Sequence, residues 1–303
     1  MLTRPTLSSE ACEATILVSC PDQMGVVAAL SQLLFGYGVN IISSDQFSDM
    51  TAKWYFQRLH IDFSRLIVGA DNVQVLETAL NSTAKRFDMK WSITYKSQLQ
   101  RVAVLVSKLD HCLYDLLIRN QSGELPAEIA VIISNHATLE PVARQFGIPF
   151  RHLPMVGEDK EAAKAEQEAA VEALINELNV DLIVLARYMQ VLSTGFCLRN
   201  ATRTINIHHS FLPAFEGGRP YHRAHDRGVK IIGATAHYAT AELDAGPIIE
   251  QDVTRITHRE SVTNMVRKGK DLERLVLARA VRAHLESRVI VFGNRTVVFE
   301  ENA

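Results

Sequence analysis

Three side chains in this 303-residue chain have the types and spacing for acyl chemistry. Asn206 and His208 stand two apart in the apolar run T-I-N-I-H (204–208), and Asp244 lies in the turn-like L-D-A-G-P-I-I (243–249). Residues two apart on a strand project from the same face. The amide and the imidazole should therefore share a face, with Ile205 and Ile207 on the other. Two polar groups on a covered sheet face are costly unless they are used. Alone, Asp244 is an ordinary turn former; it joins the pair only if the strand order brings it back. An amide, an imidazole and a carboxylate over one pocket can stabilise an oxyanion and manage a proton. That set suits a hydrolase or an acyl transferase, and these residues alone do not choose between them.

The other histidines of the region, His209, His222, His225 and His237 with Asp226, raise the question of a metal. Their spacing fits no zinc signature, since there is neither an H-E-x-x-H nor a cysteine pair. Arg219, Arg223 and Arg227 stud the same segment and would repel a cation. No metal and no cofactor are expected. A G-x-G-x-x-G after a strand and a G-x-x-x-x-G-K-[ST] are both missing, which disfavours nucleotide sites.

Composition narrows the field. Apolar residues make up 47% and the formal charge is −2, with Lys and Arg spread along the chain. This excludes a disordered chain and gives no basic stripe for nucleic acid. The four cysteines are far apart, and three lie in apolar runs, as buried thiols in a reducing compartment do. No run approaches the roughly 20 apolar residues of a spanning helix, and the first ten residues lack the apolar core of a signal peptide. The expectation is a cytoplasmic protein without nucleic-acid or membrane partners.

Elements that would position the site fall into two sets. Residues 14–20 read as a strand, followed by a helix capped by Asp22 and ended by Gly36 and Gly38. Strands over 39–47 and 53–63, a helix through Val73, Leu76, Leu80 and Phe87, and an alternating strand over 89–95 complete βαββαβ. That order is a ferredoxin-like sandwich, α/β in class. Its C-P-D-Q-M-G-V-V-A-A-L-S (20–31) and G-V-N-I-I (38–42) resemble the ACT domain. The resemblance implies a regulatory small-ligand site at Asp22, Gly25 and Asn40, and pairing into a homo-oligomer. The span 48–58 departs from the family in lacking a glycine before its aromatic pair. The polar run 96–100 reads as the joint, giving a regulatory domain over 1–96 and a second domain over 97–303.

The second domain alternates strand and helix: strand 101–107, helix 111–120, strand 129–134, helix 139–146, helix 159–178, strand 180–185. Such alternation predicts a doubly wound, mostly parallel sheet, with ligands beyond the carboxyl ends of its strands. The ends of strands 102–107, 181–185 and 204–208 should then share a crevice.

N-I-H-x-S-x-L-P (206–213), L-D-A-G-P-I-I and L-A-R-Y-M-Q-V-L-S (185–193) resemble the folate-dependent formyltransferase fold, from about 101 to 250. The resemblance implies Asn206, His208 and Asp244 as catalytic residues. It also implies a folate site at Arg187, Tyr188, Met189, Gln190, Val191 and Leu192, with Tyr238 and Thr240. Members that formylate a ribonucleotide carry a Gly-Ser-Asn phosphate loop after the first strand. Here that place reads S-K-L-D-H-C-L-Y-D-L-L (107–117), without glycine and with Asp110; such a segment cradles a phosphate poorly. Their proline after the histidine is His209 here. These departures, with R-P-Y-H (219–222), G-A-T-A-H-Y (233–238), G-N-R-T-V-V-F (293–299) and the first domain, resemble the members of the fold that use water in place of an amine.

The implied reaction is hydrolysis of 10-formyltetrahydrofolate to tetrahydrofolate and formate, balancing one-carbon folate pools and supplying formate for purine synthesis. Asn206 and a protonated His208 would donate to the developing oxyanion, and Asp244 would orient the water and take its proton. The implied effectors are glycine and methionine. Transfer to an amine acceptor and a non-catalytic amino-acid sensor stay open as alternatives; formate release from the folate alone separates all three.

Overall fold

The computed structural model describes residues 12–214 and 220–300. The chain divides between Leu99 and Gln100, within the polar run 96–100 and three residues after the expected domain boundary at 96. Ser287–Ile290 and the stretch from Val297 group with the first unit, although the sequence reading gave all of 97–303 to the second.

The first unit runs β1 (Glu13–Pro21), α1 (Val26–Gly36), β2 (Asn40–Asp49), β3 (Trp54–Asp62), α2 (Gln74–Phe87) and β4 (Lys90–Tyr95). Its antiparallel sheet has the order β2-β3-β1-β4. Alternation in β1 turns Ala14, Ile16, Val18 and Cys20 inward, each at most 1% exposed, against Leu30, Leu34, Leu76 and Leu80 of the two helices. Burying each of the valine, isoleucine and leucine side chains among them contributes roughly 1.5–3 kcal/mol. Asp22 does not cap α1. Gly25 stands at the cap in the left-handed region (φ 92°), with no side-chain cap bond, and the Asp22 amide donates to the Lys53 carbonyl. Lys53 itself takes φ 53°. It precedes Trp54–Phe56, where the ACT resemblance implies the glycine that this conformation suits.

In the second unit β5 (Gln100–Val106), β6 (Ala127–Ser134), β7 (Phe150–His152), β8 (Leu182–Leu185) and β9 (Thr204–His208) pair in parallel. β10 (Ile231–Tyr238) and β11 (Ile248–Arg255) add antiparallel strands at one edge, giving the order β11-β10-β9-β8-β5-β6-β7. The sheet is covered on both faces. Ala103, Leu105, Ile183 and Leu185 meet Val171 and Ile175 of α5 (Lys160–Glu177). Val102, Val104 and Val184 turn the other way, toward Leu116 of α3 (His111–Gln121) and Val281 of α8 (Val262–Leu285). Continuous apolar strands are what a doubly covered sheet needs. Shorter helices α4 (Glu140–Gln145), α6 (Thr194–Arg199) and α7 (Pro220–Arg227), and the hairpin of β12 (Val289–Phe292) with β13 (Arg295–Val298), complete the chain. Among the described residues no helix is long and apolar enough to cross a membrane, and all four cysteines are free and buried.

Candidate active site

β9 carries Asn206 and His208 to its carboxyl end, and both line one cleft. β10 pairs with β9 so that His237 lies opposite Asn206 and Thr235 opposite His208. The turn after β10 then folds back over the strand end. The Tyr238 amide donates to the Pro247 carbonyl at 2.9 Å. A Cβ on Gly246 would stand 1.8 Å from the Tyr238 carbonyl oxygen, so only glycine permits so close a crossing. This crossing returns Asp244 to the strand pair, with its own backbone in the left-handed region at φ 56°.

The three groups meet. His208 Nδ1 lies 3.1 Å from Asp244 Oδ1, and the two side chains are only 6% and 9% exposed. His208 Nε2 is buried without a protein partner. Burial pushes the Asp244 carboxyl up, but its hydrogen bond and charge interaction with His208 hold it below the ordinary carboxylate range. Asn206 Nδ2 lies 3.2 Å from His237 Nε2, and His237 Nδ1 lies 3.0 Å from the Tyr238 carbonyl. A carbonyl can only accept, so His237 carries its proton on Nδ1, and Nε2 takes the Asn206 amide hydrogen. Burial holds His237 below its ordinary value, which keeps that ring neutral. His237 thus fixes which way the Asn206 amide points. Nothing in the sequence around His237 signals this role.

The opposite wall is the segment after β8. Arg187, Tyr188, Met189, Gln190, Val191 and Leu192 all line the cleft, together with 239–244, Thr240 included. Met189 and Val191 expose more than half their surface there, which suits the face of a flat ring system. The wall is pinned from behind. Glu168 of α5 accepts from the Ser193 amide at 2.7 Å and from its hydroxyl. Ser107 Oγ accepts from the Met189 amide at 3.0 Å. The end of β5 therefore supports the wall and does not line the crevice as expected. Tyr238 does not line it either; its hydroxyl meets His284 Nδ1 at 2.7 Å. Arg187 reaches the cleft, yet its guanidinium is engaged inside the protein, 2.7 Å from His209 Nδ1 and 3.4 Å from Glu273 Oε2. Arg219 lies outside the described residues.

One ligand set of metal-binding type exists among the described residues: His111, Cys112 and Glu273. Burial, and then the Glu273 charge, hold the Cys112 thiol well above its ordinary value. Glu273 already faces His111 at 2.7 Å and the Arg187 guanidinium, so a cation there would meet a protonated thiol and a fixed positive charge.

In the first unit a second cleft is lined by Asp22, Gln23 and Gly25–Ala28 at the start of α1, and by Gln46, Phe47, Ser48 and Tyr55. Two of the three expected regulatory positions, Asp22 and Gly25, are in it. Asn40 opens β2 opposite Asp62 and is not among its lining residues.

Comparison with known proteins defines the class first. A formyl transferase family model matches residues 100–281, and an ACT domain model matches 14–84. The second unit is a formyltransferase-fold domain and the first an ACT domain. A formyltetrahydrofolate deformylase of Synechocystis is 52% identical over 94% of this chain and 98% of its own length. That of Bacillus subtilis is 48% identical over 94% and 93%. The crystal structure of a formyltetrahydrofolate deformylase from Pseudomonas syringae pv. tomato superposes with a TM-score of 0.90, at 46% identity over 95% of this chain and 94% of that one. The chain belongs to the formyltetrahydrofolate deformylase family.

Proposed function

We propose that this protein hydrolyses 10-formyltetrahydrofolate to tetrahydrofolate and formate, with Asn206, His208 and Asp244 as its catalytic residues. The carrying observation is that likeness to deformylases spans both units, 94% of the chain, while the amide, imidazole and carboxylate face one cleft. The folate ring lies along 187–192 and 239–244, with its formyl group at the polar end.

Water attacks the formyl carbon, and charge develops on the formyl oxygen. Asn206 donates to that oxygen, and protonated His208 donates from Nε2, the atom with no protein partner. Each such donor accounts for about 10²–10³ in rate. Asp244 accepts the proton of the attacking water, directly or through a second water. Asp244 then passes the water's proton to the folate nitrogen as the C–N bond breaks. His208 keeps its own proton throughout, and the formic acid that leaves gives its remaining proton to solvent.

Transfer to an amine has no comparable support. The segment after β5 enters α3 through Asp110 and His111, with no glycine to open backbone amides to a phosphate. In the ACT domain the cleft at the start of α1 is our candidate for an amino-acid effector, glycine or methionine. Backbone amides there suit a carboxylate, and pairing of such domains makes the protein a homo-oligomer. Formate leaving this site feeds purine synthesis from the cytoplasm. The purified protein with 10-formyltetrahydrofolate and no amine should yield formate and tetrahydrofolate in equal amounts. Formate appearing only after an amine is added would defeat the reading.

A further inference from the structure

We propose that Glu273 is a positioning residue, acting on His208 from outside the cleft through Arg187 and His209. This rests on the hydrolytic reading above. Glu273 sits on α8, is 1% exposed, and does not line the cleft. His111 Nε2 lies 2.7 Å from it, and the Tyr221 hydroxyl donates to it at 2.8 Å. The Arg187 guanidinium stands against the same carboxylate. Burial pushes the Glu273 carboxyl up, but His111, Arg187 and Tyr221 together hold it below the ordinary range, so it is the counter-charge of Arg187.

Arg187 passes this on. Arginine has no acceptor, so His209 Nδ1, 2.7 Å away, must present its lone pair and carry the ring proton on Nε2. Burial, then the charges of Arg187 and His208, keep His209 down to about 4, a neutral ring at working pH. That ring stacks on His208, with centroids 4.9 Å apart and planes 29° apart. His208 is thus held between Asp244 on its edge and a neutral ring on its face, with His237 as the other titratable neighbour on Asp244. A neutral neighbour lets His208 carry a charge without repulsion, and a ring fixed by Arg187 holds it in one plane. Stability alone gives weak reason for the arrangement, since a buried ion pair is often no better than apolar packing.

The test is Glu273→Gln, with Glu273→Asp, His209→Asn and the Glu273→Gln/His209→Asn double variant. Formate release should show kcat lowered about 10–100-fold in Glu273→Gln, since small misplacements of a reacting group cost that much. KM should stay near that of the wild type. Glu273→Asp should retain more of kcat, and the double variant should lose little beyond His209→Asn alone. Ring nitrogen NMR should find one His209 tautomer in the wild type and a mixture in Glu273→Gln. A fall in KM-controlled steps alone, losses that multiply, an unchanged tautomer, or Glu273→Asp worse than Glu273→Gln would each overturn the assignment. The tautomer readout needs no turnover, so a wild type that releases no formate would sink the hydrolytic reading and leave this test intact.

Discussion

His208 Nδ1 faces Asp244 Oδ1 at 3.1 Å while the ring's other nitrogen has no protein partner. The carboxylate fixes which nitrogen points into the cleft. Asp244→Asn keeps the shape and removes the charge. It should lower kcat on the order of 10³-fold or more, as loss of an orienting carboxylate does elsewhere. Folate affinity, measured by equilibrium dialysis, should stay near wild type.

Asn206 has its amide oriented by His237. Asn206→Ala should lower kcat by about 10²–10³-fold with a small effect on KM, because the donor is needed only as charge develops. His237→Phe frees the amide to rotate and should give a smaller loss of the same kind. Steady-state formate assays across the two variants check the order.

Glu168 braces one wall of the cleft. It accepts twice from Ser193, at the end of the wall formed by 187–192. Such bonds to a charged acceptor contribute about 1.5–3 kcal/mol each, and part of that is needed to hold the wall. Glu168→Ala should raise KM about tenfold or more with kcat near wild type. An unchanged KM would show that the wall needs no such support.

His284 links burial to pH. Burial holds it down at about 4, against an ordinary value of 6.5, with Asp181 opposing. Between those values the unfolded chain binds a proton that the folded chain refuses, so stability falls as pH drops from 6.5 to 4. The gap corresponds to on the order of 3 kcal/mol at about 1.36 kcal/mol per pH unit. His209 acts in the same window with the same sign. His284→Asn should flatten, without abolishing, the decline of Tm across that range.

Two glycines carry the geometry of the second unit. A Cβ on Gly269 of α8 would stand 1.9 Å from the Tyr221 hydroxyl oxygen, and one on Gly246 would strike the Tyr238 backbone. Overpacking typically costs about 1–3 kcal/mol, and a backbone collision lies at the upper end. Gly246→Ala should lower Tm more than Gly269→Ala. Gly269→Ala should lower kcat in step with the loss of the Tyr221–Glu273 hydrogen bond.

Much of this was legible where a local pattern decides the structure. The run 204–208 is strand β9 over those same residues, and Asp159, at the expected start of a helix, caps α5 through the Glu161 and Ala162 amides. Asp22 offered the same cap signal and does not cap, because a left-handed Gly25 starts α1 three residues later. The residues that α8 buries recur at helical spacing. Gly269 reads as a breaker within it, but the glycine is there because Tyr221 packs on that position. Glu273 was invisible for a further reason. In K-D-L-E-R it looks like one charge on a solvated face, and its burial depends on His111, Arg187 and Tyr221, from three distant segments. No periodicity reports a partnership of that kind.

The left-handed backbone at Asp244 sets two evolutionary pressures against each other. Glycine would relax φ 56° at no steric cost, and an L-residue held there gives up about 1 kcal/mol. Drift toward glycine would thus be rewarded in folding and punished in turnover. With Asp244 as the proposed acceptor of the water's proton, the position trades robustness for chemistry, so a screen for thermostable variants of this protein should enrich dead enzymes at residue 244.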